Sequence, residues 1–130
     1  MVRLLVAVIL GIVGAFVCIV LVESASHWFW PLPTGLDFND PAQLANFVGN
    51  MPIGALLALV FGWCVGAFVG SAISTRIAPI HKARAALSVF VVLALATCAN
   101  FLMIPHPLWL LLAATGCLPA FAWLGWRIAR

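Results

Sequence analysis

Between residues 53 and 72 the chain reads IGALLALVFGWCVGAFVGSA, an apolar run without a single Asp, Glu, Lys, Arg or His. A helix rising about 1.5 Å per residue needs about 20 such residues to cross a hydrocarbon core about 30 Å thick, and this run supplies them. Every face is apolar, so no amphipathic period exists; lipid on one side and neighbouring helices on the other call for that pattern. Inside the run small residues recur at each fourth position, Gly54, Ala58, Gly62, Gly66 and Gly70, and Ser74 continues the series. Such a stripe lets a second backbone approach closely, and in lipid that van der Waals contact supplies much of the association energy. With about 3.6 residues per turn the stripe winds by about 40° per step, which favours a right-handed crossing.

Working outward, three more runs of the same kind appear at Leu4–Val22, Ala85–Ile104 and Leu108–Trp126. Apolar residues make up 66% of the 130, and only 7% are charged, against about 25% in a soluble globular domain. The sequence therefore predicts an all-α polytopic membrane protein. It is a four-transmembrane-helix bundle forming one membrane domain over residues 1–130, with an outer loop at 23–52, an inner loop at 73–84 and an outer turn at 105–107. Ala7, Gly11 and Ala15 repeat the every-fourth spacing in the first span, which makes that span the expected partner of the glycine stripe, a second copy of the chain being the alternative.

The six cations, Arg3, Arg76, Lys82, Arg84, Arg127 and Arg130, fall at the N-terminus, in the second connection and at the C-terminus, while the three acids, Glu23, Asp37 and Asp40, all fall in the first connection. Cytoplasmic segments collect Lys and Arg, so the charges predict both termini inside. Trp28, Trp30 and Trp109 then lie at the outer interface and Trp123 and Trp126 at the inner one, as aromatic belts do. So few cations, scattered at helix ends, exclude a nucleic-acid surface. Around His81 the basic inner loop is placed to meet anionic lipid headgroups. A rival reading takes residues 1–26 as a cleavable signal peptide, with Ser24-Ala25-Ser26 as the cleavage site. Its hydrophobic stretch is longer than the usual run of about 7–15 residues.

The outer loop carries its own signals. Pro31 and Pro33 after His27-Trp28-Phe29-Trp30 predict an extended segment at the headgroup level. Asp40 can cap a helix that begins with Pro41 and ends near Gly49, with Leu44, Phe47 and Val48 on one face. This is a short amphipathic helix, on the outer leaflet or over the bundle.

Chemistry is sparse. The spans hold no acid or base for a proton relay. His27 and His106 are the weak candidates for metal ligation, beside Glu23, Asp37 and Asp40, yet their spacing fits no metal motif. Cys18, Cys64, Cys98 and Cys117 lie in apolar runs and form no CxxC pair, so packing explains them. Within the membrane, Thr97 and Thr115 come to similar depth, with Asn100 one turn nearer the outer surface, beside Pro119, whose missing N–H leaves the Thr115 carbonyl without its helical donor and bends the fourth span. This group is the candidate intramembrane polar site, with interhelical hydrogen bonding as its plainer role. No catalytic residue and no cofactor is expected.

Gly35-Leu36-Asp37-Phe38-Asn39-Asp40-Pro41 and the stretch NFLMIPHPLW at 100–109 resemble a functionally uncharacterised group of small four-span bacterial inner-membrane proteins. The resemblance implies a bacterial inner membrane and brings no mechanism. Small multidrug-resistance transporters carry a glutamate within the first span, where this chain has only Glu23 at its end. Disulfide-generating quinone reductases need paired outer cysteines, which are absent. The leading expectation is an accessory, assembly or structural membrane component working through helix packing and its outer loop, with a membrane-protein partner or a second copy. The alternative is a subunit of an oligomeric small-solute or ion transporter or channel.

Topology is open to direct test. In a cysteine-free background, a single cysteine at Asn39 is expected to react with an impermeant maleimide on intact spheroplasts, and one at Arg84 only after the membrane is opened. The reverse labelling would invert the assignment.

Overall fold

The computed structural model describes residues 2–130, and these form five α-helices and no strand. They are α1 (Val2–Ser26), α2 (Pro41–Gly49), α3 (Ile53–Ile77), α4 (Lys82–Met103) and α5 (Leu108–Ala129). All but α2 are long and apolar enough to cross a membrane. The acids and α2 gather at one end of the bundle, the acidic end, and the cations at the other, the basic end.

The hub is α3: half of its most apolar stretch is buried, against 17% for α1 and α4 and 28% for α5. It lies antiparallel to α1 and packs also on α5 and α4. The α1–α3 seam is a backbone-to-backbone contact. A Cβ added at Gly70 would stand 2.7 Å from the Gly11 carbonyl oxygen and 2.8 Å from the Ala15 Cβ, and one at Gly11 would stand 2.7 Å from the Gly70 carbonyl oxygen. Gly66 gives way to the Ile19 side chain and Gly62 to Val22, while Ala7 and Ala15 are wholly buried. The stripe does not serve α1 throughout. Gly54 receives the Trp30 indole, 2.6 Å from where its Cβ would be, and Ala58 is only half-buried.

On the other flank Gly125 lets α5 rest on the backbone of α3, since a Cβ there would strike the Phe68 carbonyl. Leu110, Ala114, Leu118, Ala122, Gly125 and Ala129 form the buried stripe of α5. A central cluster of Ala15, Trp63, Ala67, Val89, Leu93, Ala114, Leu118 and Ala122 joins the four long helices.

Two helix ends depart from expectation. The first span continues to Ser26, so Glu23 belongs to the last turn of α1 and not to the loop. The second continues to Ile77, leaving only residues 78–81 as the inner connection instead of 73–84. Hydropathy falls where the polar residues begin, but the helix continues, and the buried Ser74 and Thr75 satisfy their hydroxyls on the Ser71 carbonyl at 3.0 and 2.7 Å. Pro79 and a left-handed His81, φ 54°, make the turn into α4.

The seam is expected to be intolerant of a single methyl. Gly70→Ala should destabilise the bundle by about 1–3 kcal/mol, because the atom it meets is backbone and cannot rotate away. Gly116→Ala, with nothing within 4 Å of the new atom, should be neutral or stabilise by up to about 1 kcal/mol through helix propensity. Unfolding in mixed micelles compares the two.

Candidate functional site: a chamber at the acidic end

The chamber is built by the segment that follows α1. Ser26 Oγ donates to the Glu23 carbonyl at 2.7 Å, and His27 N and Trp30 N donate to the Glu23 and Ser26 carbonyls at 3.2 and 2.9 Å, so the chain leaves the helix in a tight turn. The residues from Pro31 then pass over the bundle to a second, polar turn. There Asp37 Oδ1 accepts from Asn39 N at 2.9 Å, and Gln43 Oε1 accepts from Asp37 N at 3.2 Å. Asp40 Oδ1 caps α2 by accepting from Ala42 N and Gln43 N at 2.9 and 3.4 Å. With its start fixed, α2 buries Leu44 and Val48, and Val48 packs with Leu56, Val60 and Leu110.

Beneath this cover lies a cavity of about 580 Å³. Its walls are aromatic and aliphatic, including Trp30, Phe38, Phe47 and Leu59, and its polar lining comes chiefly from Glu23, Ser26, His27, Asn100 and His106. A second cavity, of about 230 Å³, shares Glu23 and Asn100 with the first and adds Thr97 and Trp63. The Glu23 carboxyl has His27 and the Trp63 indole as its neighbours. The side-chain carbonyl of Asn100 is buried without a hydrogen-bond partner, an arrangement that favours a ligand donor or a water there.

His106 is fixed more firmly. Its Nδ1 lies 2.7 Å from the Ile104 carbonyl oxygen, and since a carbonyl only accepts, Nδ1 carries the proton and Nε2 is the acceptor of the neutral ring. The ring meets Phe101 edge-on at 5.0 Å and Trp63 at 6.4 Å between centroids. Burial pushes its pKa below the usual histidine value, against the opposing pull of the Ile104 hydrogen bond.

The residues singled out in the sequence are thus partly assembled. His27 and His106 line one cavity with Glu23, but among the described residues no three His, Cys, Asp or Glu side chains are placed to hold a metal ion. Asp37 and Asp40 hold the loop backbone. Thr97 and Asn100 share the second cavity, whereas Thr115 is exposed on the outward surface of α5 and donates to its own helix at the Leu112 carbonyl, 3.0 Å away. Pro119 lies on a different groove, nearer the basic end. The proposed four-residue polar site is therefore divided: equal depth in the membrane does not imply equal facing. Sequence reading also missed a contact across α3 and α5 that brings together the thiols of Cys64 and Cys117, 53 residues apart in the chain (117 − 64).

Comparison with known families, with curated proteins and with solved structures finds no match.

The His106 environment makes stability depend on pH. Because its folded pKa lies below the unfolded value of about 6.5, the unfolded chain binds the proton more readily. The contribution of the neutral ring is complete above about pH 6.5 and is lost as pH falls through the folded pKa. The thermal midpoint of the purified protein should fall on moving from pH 7.5 to pH 5. His106→Asn, which retains a donor for Ile104, should flatten that fall.

Proposed function

We propose that this chain is an accessory or assembly component of a bacterial inner membrane, with both termini cytoplasmic and the chamber facing outward as its working surface. The chamber itself carries this reading: about 580 Å³ of largely apolar space under a loop held by its own hydrogen bonds, with polar groups at Glu23, His27, Asn100 and His106. A site of that size and lining suits an amphipathic segment of a partner membrane protein, whose apolar side chains meet Trp30 and Phe38 and whose polar groups meet the floor. The filled centre of the bundle favours docking over passage of solute through one copy. So does the outward facing of Thr115. An oligomeric transporter or channel subunit is the second reading, and it draws on the smaller cavity that continues from Glu23 and Asn100 toward Thr97.

A photo-crosslinking amino acid at Phe38 or Leu32, both exposed on the chamber lining, is expected to capture one discrete membrane-protein partner in native membranes, less efficiently with Glu23→Gln. Crosslinks only between copies, joined to solute flux in reconstituted vesicles, would favour the transporter reading. No crosslink from either position would remove the chamber as the working surface.

A further inference from the structure

At the basic end α4 and α5 leave a groove of about 340 Å³ between them. Ala83, Ala86, Leu87 and Phe90 form one side, and Pro119, Ala122, Trp123 and Trp126 form the other. Each set follows the spacing i, i+3, i+4, i+7, so each is one stripe along its helix and the groove runs about 10 Å parallel to the helix axes. The alanines keep it open, and Phe90 with the two indoles gives it depth.

The ends of these stripes are strongly cationic. Lys82 and Arg84 lie in the first turn of α4, Arg127 in the last turn of α5, and Arg130 follows it; the three acids are all at the opposite end of the bundle. The Arg127 guanidinium lies 5.0 Å over the Trp123 ring and that of Arg130 lies 4.8 Å over Trp126, so two residues of the groove wall carry guanidinium groups on their faces. No side chain caps the amino end of α4, and the positive end of that helix adds to the same field. An apolar slot of this length, with guanidinium groups on two indoles of its wall and the acidic side chains at the far end of the bundle, matches one chemistry: a hydrocarbon chain with an anionic head.

We propose that this groove seats one acyl chain of an anionic glycerophospholipid, whose phosphate is held by Arg127 and Arg130, the two guanidinium groups stacked on the indoles of the groove wall. A zwitterionic lipid makes the same chain contacts but gains less from the cations, so head-group charge is the discriminating term. The site is separate from the chamber and does not depend on the function proposed for it.

Native mass spectrometry of the full-length protein, released from nanodiscs of equal parts phosphatidylglycerol and phosphatidylethanolamine, tests the proposal. One phosphatidylglycerol should be retained with a preference of at least about tenfold, as two nearby cations imply. Arg127→Gln and Arg130→Gln together should bring that preference close to unity while leaving the helix content of the protein unchanged. Ala83→Phe, at an exposed position in the mouth of the groove, should expel both lipids. Equal retention of the two lipids by the unaltered protein, an undiminished preference in the double variant, or a retained lipid in Ala83→Phe would each overturn it.

Discussion

The contact between the backbones of α1 and α3 at Gly11 and Gly70 sets the rest of the structure. Lipid tails are as apolar as leucine, so no hydrophobic force drives one helix onto another inside a bilayer, and close packing must supply the association energy. Two facing glycines allow the closest approach. Val89 of α4 closes over them, 2.9 Å from the position of a Gly11 Cβ and 3.0 Å from that of Gly70, so the third long helix is aligned by the same contact. Toward the acidic end the seam relaxes. An added Cβ at Gly62 would stand 3.3 Å from its nearest neighbour, and at Gly54 the space is occupied by Trp30 instead of α1. The chamber lies at that relaxed end.

What the sequence made legible follows from what hydropathy measures. It reports which residues share the depth of the bilayer, so the four spans stand out. The segregation of cations from acids and the Asp40-Pro41 start of α2 are equally local signals, carried by residue type. Rotation about a helix axis is another matter, because a span apolar on every side gives no indication of which side meets lipid. Thr115 and Asn100 illustrate this: one lies on the exposed surface bonded to its own helix, while the other is turned inward with an unpartnered carbonyl. The Gly125 contact with Phe68 was hidden for a related reason. A lone glycine forms no stripe, and only the packed partner reveals why that position tolerates nothing larger.

Division of labour among the acids shapes the chamber. Asp37 and Asp40 direct carboxylate oxygens to backbone amides and thereby hold the loop. The polar groups facing the cavity come instead from helix ends and the turns that continue them: Glu23 in the last turn of α1, Asn100 in the last turn of α4 and His106 just beyond it. Groups mounted on such supports keep their relative positions better than groups on a free loop, so this arrangement favours a preformed site.

The position of α3 as hub has a consequence for biosynthesis. Its principal partner, α1, is made before it, whereas α4 and α5 follow as a hairpin. The glycine seam therefore becomes available while the ribosome is still completing the chain, and the N-terminal half can settle before the C-terminal half leaves the insertion machinery. The later hairpin meets a surface that already exists, with Gly125 and the small residues of α5 as the features that dock against it. In a protein of 130 residues, the order in which helices are synthesised thus coincides with the order in which their contacts can form.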